Sequence, residues 1–71
     1  MAFTEAQLDA QIDPAGTNNI IQIQNFYPGS VNTTVYAIGV IYPYAGRSRF
    51  VDIPNSYTAA QAFAAIQAGL A

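Results

Sequence analysis

Residues 33–42 read TTVYAIGVIY, and this stretch decides the fold. Successive side chains of an extended strand point to opposite faces. One face of this strand carries the smaller side chains Val35, Ala37, Gly39 and Ile41, and the other carries Tyr36, Ile38, Val40 and Tyr42. A strand that is apolar on both faces has to be covered on both. We therefore predict a central strand that packs on its own chain on one side and on another protein on the other.

Two further strands are predicted around the central one. Residues 20–27, IIQIQNFY, are rich in β-branched side chains and partly alternate. Residues 47–53, RSRFVDI, form a third, charged strand closed by Pro54. Pro28 and Gly29 occupy the central positions expected of a type II turn. Together these signals predict an antiparallel meander of three strands.

A short helix is predicted before the sheet. Thr4 and Gln7 have the spacing of a capping box, which starts a helix over residues 5–12. Pro14 and Gly16 are expected to end it. Its acidic side chains fall on one face that we expect to be solvated, and they are Glu5, Asp9 and Asp13.

A second helix is predicted at the C-terminal end of the sequence. Thr58 and Gln61 repeat the capping-box spacing. The residues that follow form an Ala-rich helix with an apolar stripe at Ala59, Phe63, Ile66 and Leu70. The predicted fold class is therefore α+β: a short N-terminal helix, a three-stranded antiparallel β-meander and a C-terminal Ala-rich helix, in one domain over residues 1–71.

Charge is scarce in this chain and unevenly placed. Charged residues make up 8% of the sequence, against about 25% in an ordinary soluble domain. None occurs between Asp13 and Arg47, and none follows Asp52. There is no Cys and no His, so the sequence predicts neither a disulfide nor a zinc site. Small folds without such staples are commonly stabilised by association, so we expect a homo-oligomer.

The sequence does not predict an enzyme, a metal site or a cofactor. Nucleophilic catalysis requires an activated nucleophile, and Ser30, Ser48 and Ser56 have no His or Lys to activate them. The acidic ladder of the first helix is typical of a solvated surface. The first residues lack the basic and apolar regions of a secretion signal, and no apolar run is long enough to span a membrane. We therefore expect synthesis in the cytoplasm and no membrane partner.

Tyrosine and arginine side chains are the main candidates for binding. Such residues are enriched in protein interfaces. The same types also bind single-stranded nucleic acid, and Tyr42, Tyr44, Arg47 and Arg49 allow that alternative. Two positive charges can contact only a few phosphates, so nucleic acid is the less favoured partner. A third interpretation pairs Arg49 with Asp52 or Glu5 on the surface. The predicted interface comprises Tyr27, Tyr36, Ile38, Val40, Tyr42, Tyr44, Arg47, Arg49, Phe63 and Ile66.

The opening MAFTEAQL, the small size of the chain and its predicted helix–sheet–helix layout resemble small virion proteins of tailed bacteriophages. Head-completion proteins similar to that of phage lambda open with an aromatic-Thr-x-x-Gln-Leu helix and close on a helix that starts near a Ser or Thr. The match covers residues 3–12 and 56–70. The middle of this chain is longer and less charged than in that class, so no functional residue is carried over.

The uncharged sheet is more similar to a capsid decoration, or cement, protein. The resemblance implies a non-enzymatic virion protein that binds its own copies and a capsid or other virion protein. The alternatives are a head-completion or connector protein, and a small nucleic-acid-binding or ligand-binding module. A self-polymerising structural protein is a further possibility, because an exposed apolar edge can propagate without closing.

Overall fold

The computed structural model describes residues 3–12 and 20–71 of the chain. Five elements follow one another, and they are α1 (Glu5–Ile12), β1 (Ile21–Tyr27), β2 (Asn32–Gly39), β3 (Arg47–Pro54) and α2 (Ala59–Leu70). The predicted α+β order of helix, three antiparallel strands and helix is confirmed. Pro14 and Gly16, which were expected to end α1, lie outside the described residues.

The sheet is a meander in the order β1-β2-β3, with β2 in the centre and both pairs antiparallel. Tyr36 in β2 lies opposite Asn25 in β1 and Phe50 in β3. The β2–β3 register runs without a shift, whereas β1 shifts between Ile23 and Asn25. Gln24 is therefore the extra residue of a β-bulge.

The central strand is shorter than the sequence predicted, because it ends at Gly39 and not at Tyr42. After Gly39 the chain turns back, so that Tyr44 lies directly against this glycine. A Cβ added at Gly39 would collide with both the backbone and the side chain of Tyr44. The Tyr44 N–H donates to the Ile41 carbonyl at 2.9 Å. Val40, Ile41 and Tyr42 are consequently loop residues.

The predicted type II turn at Pro28 and Gly29 is wrong. That turn needs a positive φ at its third residue, and Gly46, at φ +74°, is the described glycine that has one. Gly29 is required for a different reason: a Cβ there would collide with the Asn32 carbonyl oxygen. The chain still reverses at this point, and the side-chain amide of Asn55 donates to the Gly29 carbonyl.

Both predicted capping boxes form. At α1, the Thr4 N–H donates to Gln7 Oε1 at 3.0 Å, and the Gln7 N–H donates to Thr4 Oγ1 at 3.2 Å. At α2, the same pair of bonds joins Thr58 and Gln61 at 2.9 and 3.3 Å. Each box satisfies two backbone donors that the first turn of a helix leaves free.

Both helices pack on one face of the sheet, which we call the inner face. Its strand residues include Ile21, Thr33, Val35, Ala37 and Ile53, all of them buried. The buried residues from the helices and the N-terminal segment are Phe3, Leu8, Ala62, Ile66 and Leu70. This single apolar cluster is the core of the protein.

Candidate functional site

The face of the sheet opposite the helices is the candidate site, and we call it the outer face. Strand alternation and the observed pairing define its members, which are Gln22, Asn25, Tyr27, Thr34, Tyr36, Ile38, Ser48, Phe50 and Asp52. None of them is buried. No described helix packs on this side, since α1 and α2 contribute their buried residues to the core on the inner face.

An aromatic pair occupies the centre of the outer face. The rings of Tyr36 and Phe50 lie across the β2–β3 pair with centroids 4.4 Å apart and planes tilted by 34°. Phe50 is 59% exposed, whereas Tyr36 and Ile38 are half-buried. Exposed aromatic side chains held in one geometry by a sheet lose little conformational entropy when they bind a partner.

Neutral hydrogen-bonding groups surround this aromatic pair. The Thr34 hydroxyl donates to Asp52 Oδ1 at 2.7 Å. The side-chain amide of Gln24 donates to Gln22 Oε1 at 3.5 Å on β1. Asp52 is the one charged residue of the outer face, and its carboxylate already has a partner within the chain. A protein that covers this face therefore has one charged group to desolvate, the Asp52 carboxylate.

Exposed apolar side chains continue beyond both ends of the outer face. Tyr27 and Val31, near the β1–β2 connection, are 53% and 72% exposed. Val40, Ile41 and Tyr42, in the β2–β3 loop, are 36%, 46% and 88% exposed. The exposed apolar surface thus extends along the length of β2.

The structure divides the residues of the predicted interface into three groups. Tyr36 and Ile38 lie on the outer face, with Tyr27 at its end. The β2–β3 loop carries Val40, Tyr42 and the half-buried Tyr44. The remaining residues belong to the helix side of the molecule, and they are Arg47, Arg49, Phe63 and Ile66.

Ile66 cannot take part in a protein interface in this fold, because none of its surface is exposed. Phe63 is half-buried against the core. In the apolar stripe of α2, Ile66 and Leu70 are buried in the core of their own chain, and Ala59 is half-buried like Phe63. Ala62, which is not part of the predicted stripe, is fully buried.

Arg47 and Arg49 lie in register with Gly39 and Ala37, on the inner-face side of β3. The guanidinium of Arg47 donates to the Leu70 carbonyl oxygen at 3.3 Å. A cation at the C-terminal end of a helix interacts favourably with its free carbonyl groups. Arg47 therefore has a structural partner of its own, and Arg49 is exposed beside it.

The interpretation that pairs Arg49 with Asp52 is wrong. β3 pairs with β2 without a shift, so residues three apart on β3 point to opposite faces. Arg49 lies on the helix side and Asp52 on the outer face. The hydroxyl of Thr34, and not a guanidinium, is the observed partner of the Asp52 carboxylate.

Phe50 is the residue that the predicted interface missed. The alternation of β3 does contain this information, because Ser48, Phe50 and Asp52 are two residues apart and therefore share one face of the strand. The sequence does not show which face of β3 is the outer one, because both faces carry polar and apolar residues. The register with β2 decides it.

A polar cleft of about 410 Å³ lies at the end of α2 and is lined by Gly46, Arg47, Ser48, Arg49, Leu70 and Ala71. Across residues 3–12 and 20–71, no cluster of three or more potential metal-ligating side chains is present. Within the same described ranges, no buried side-chain nitrogen or oxygen lacks a hydrogen-bond partner. No helix in the described part of the chain is long and apolar enough to cross a membrane.

Comparison with known proteins finds no matching family model, no matching curated protein and no matching solved structure.

Proposed function

We propose that this chain is a non-enzymatic structural protein of a bacteriophage virion that associates with its own copies, and that it uses the outer face to bind a capsid protein. Capsid decoration is the role that fits best. The observation that carries the proposal is the centre of the outer face, where Tyr36, Ile38 and Phe50 form an apolar surface without charge that no described helix covers. The phage setting rests on the resemblance of the opening residues and of the helix that begins near Thr58.

The size of the outer face supports many weak contacts in place of one strong contact. Three strands about 4.8 Å apart, one of seven residues and two of eight, present roughly 350–400 Å² on one side. A standard protein interface takes about 800 Å² from each partner. A single outer face supplies about half of that area, so each contact is expected to be weak. Many such contacts on a symmetric shell would add up through multivalency.

The scarcity of charge supports the same role. Burial of an unpaired charge is costly, whereas hydroxyl and amide groups can remain hydrogen-bonded, directly or through water, at a protein interface. The outer face offers Thr34, Gln22 and Asn25 for such bonds around the aromatic centre. It is suited to a neutral protein surface and poorly suited to a phosphate backbone.

A substitution on the outer face tests the proposal. Ile38→Asp and Tyr36→Asp each place a charge in the apolar centre, and we expect both to abolish co-sedimentation with purified phage capsids. Gln11→Asp on the exposed surface of α1 adds the same charge elsewhere and serves as the matched control. Asp9→Ala should also have no effect. Equal losses from the outer-face and α1 variants, with folding intact by circular dichroism, would refute the proposal.

The nucleic-acid alternative has one structural observation in its favour, the polar cleft that contains Arg47 and Arg49. A salt series separates the two functions. Binding through phosphate contacts weakens steeply as the ionic strength rises. Binding through the outer face is expected to persist or strengthen, because salts that are excluded from apolar surface favour its burial.

A further inference from the structure

The two edges of the sheet differ in their ability to pair with another strand. β1 contains the bulge at Gln24, which interrupts the regular spacing of its backbone groups. β3 is regular over all eight residues, and its one proline, Pro54, stands at the last position. An exposed, regular edge strand is a template for a further strand, and bulges are a known protection against such pairing. β3 is therefore the open edge.

The pairing pattern identifies the backbone groups at this edge. The Asn55 N–H donates to the Val31 carbonyl at 3.0 Å. In an antiparallel ladder, residues that exchange bonds with the neighbouring strand alternate with residues that point away from it. The N–H and C=O groups of Ser48, Phe50 and Asp52 consequently point away from β2, toward the open side of β3.

We infer that β3 pairs antiparallel with β3 of a second copy of this chain, about a twofold axis at Phe50, so that two three-stranded sheets become one sheet of six strands. The inference rests on the self-association in the proposed function and names the surface that joins the first two copies. The outer faces of both copies then lie on the same side of the joined sheet.

The side chains of the outer face favour this register. With Phe50 on the axis, it lies opposite Phe50 of the second copy, and each ring already stacks on Tyr36 of its own chain at 4.4 Å. The result is a row of four aromatic rings across the centre of the joined sheet, and cross-strand aromatic pairs stabilise sheets. Ser48 lies opposite Asp52 of the second copy. Its hydroxyl can donate to that carboxylate, of which Oδ1 already accepts from Thr34.

The inward-pointing charges of β3 are compatible with the same register. Arg47 is engaged with the Leu70 carbonyl. Arg49 lies opposite Val51 of the second copy, and the two copies of Arg49 are diagonal neighbours. A slip of the pairing that puts Ser48 opposite Phe50 would bring the two Arg49 side chains directly opposite each other, which is unfavourable. The charge of Arg49 thus selects the register without blocking the edge.

The side of α2 above the open edge carries Gly69 and Ala65 together with the longer Gln61. Gly69 lies over Val51, since an added Cβ would be 2.9 Å from Val51 Cγ2. Gln61 and Ala65 stand on the same side of the helix, at intervals of four residues from Gly69. With Tyr57 and Ala64, they line a shallow groove of about 380 Å³. This surface leaves room for α2 of the second copy to approach.

The expected area of the joint indicates a dimer that dissociates on dilution. An eight-residue edge is about 26 Å long, and at a sheet thickness of about 10 Å the two edges would bury a total of roughly 500 Å², to which the flank of α2 adds. That value lies below the standard range of about 1,200–2,000 Å². In return, the joined outer face reaches about 700–800 Å², which is close to the share of one partner in a standard interface.

Amide hydrogen exchange measured at two protein concentrations tests the inference. Light scattering first establishes the dimer: the mass in solution should rise from 7.6 kDa toward twice that value as the protein concentration increases a hundredfold. Over the same range we expect the Phe50 and Asp52 amides to become at least tenfold more protected, while the amides at the free edge of β1 do not change. A dimer in which the Phe50 and Asp52 amides exchange as fast as in the monomer would overturn the inference.

A proline at the edge gives a second, independent readout. Ser48→Pro removes one outward N–H, and proline is tolerated in an edge strand where its nitrogen faces away from the neighbouring strand. We expect this variant to stay monomeric at every concentration. Ser48→Ala keeps the N–H and should still form the dimer, with a several-fold weaker association. Equal masses for Ser48→Pro and the unmodified chain would contradict β3 pairing.

The same experiments separate this inference from the proposed function. If Ile38→Asp abolishes capsid binding and Ser48→Pro changes nothing, the outer face functions without the joint, and the inference fails alone. If Ser48→Pro abolishes the dimer and Ile38→Asp leaves capsid binding intact, the joint is correct and the proposed function fails.

Discussion

The two faces of this sheet are made by the same strands, yet they have opposite properties. In β2, Val35 and Ala37 have no exposed surface, whereas Tyr36 between them is half-buried and stacks on an exposed Phe50. The difference arises from parity alone, since neighbouring residues of a strand point to opposite sides. It indicates that stability is concentrated on the inner face, and that the outer face is free to be selected for binding.

Side-chain size explains which face the helices cover. Ala37 is small, so α1 and α2 can pack closely on the sheet and enclose Leu8, Ile66 and Leu70. The outer face instead carries the rings of Tyr36 and Phe50. A flat partner can cover these rings, but a short helix would leave them partly exposed.

The largest expected loss of stability comes from replacing one isoleucine on each face by alanine and comparing the two variants. Ile53→Ala leaves a cavity in the fully buried core, and we expect it to lower the free energy of unfolding by about 2–5 kcal/mol. Ile38→Ala on the outer face should cost about 1 kcal/mol or less, because that side chain is only half-buried. Urea denaturation of the monomer at low concentration measures both. Similar losses for the two variants would mean that the outer face also stabilises the monomer.

The second largest loss of stability is expected at Asn55, whose side chain is hydrogen-bonded to Thr33 of the inner face. Asn55 accepts from the buried Thr33 hydroxyl at 2.6 Å, and its side-chain amide holds the Gly29 carbonyl. Asn55→Ala leaves the Thr33 hydroxyl without its acceptor, which is expected to cost about 1–3 kcal/mol. Asn25→Ala on the outer face is the matched control and should change stability little in the same urea titration. A cost below that of the control would show that water replaces Asn55 without loss.

A smaller loss of stability is expected at the start of α2, one of the two helices that cover the inner face. Thr58→Ala removes the oxygen that accepts the Gln61 N–H at the start of α2, and we expect a loss of about 1 kcal/mol. Thr58→Ser keeps the hydroxyl and should retain most of the stability. Thermal unfolding followed by circular dichroism compares the two. If serine fails to rescue the loss, the threonine methyl group and not the cap would be responsible.

The smallest effect should come from the cation at the other end of α2. Arg47→Met removes the charge and the bond to the Leu70 carbonyl, and we expect a loss of about 0.3–1 kcal/mol at low ionic strength. Because salt screens this interaction, the difference from the unmodified protein should shrink in 1 M salt. Arg49→Met, which removes a neighbouring exposed charge, is the control. A loss that salt does not reduce would assign the role of Arg47 to packing.

Local signals in the sequence predicted most of the fold. The capping boxes at Thr4 and Thr58 depend on residues three apart, so they can be read without knowing the rest of the structure. The strands were predicted from β-branched residues and turns, with ends within three residues of those observed. The end of β2 was misplaced because Val40, Ile41 and Tyr42 continue the apolar pattern. What stops the strand is Tyr44 folding back on Gly39, which is a contact that no local pattern encodes.

The candidate site was harder to predict than the fold. Two apolar faces could be recognised in β2, but only the positions of the helices determine which of them is covered. The apolar stripe of α2 has the same appearance whether it faces its own sheet or a partner, and for this reason Ile66 was placed in the interface. The partners of Arg47 and Asn55 lie more than twenty residues away along the chain, beyond the reach of spacing rules.

The bulge at Gln24 determines how many copies a sheet of this kind can join. A chain with two pairing edges adds subunits indefinitely at both ends, whereas a chain with one such edge is used up after a single step. If β3 pairs as inferred, each copy has one edge for pairing, because β1 is interrupted by its bulge. One extra residue in a strand of seven would then stop edge pairing at two copies, where a second regular edge would allow growth into fibres.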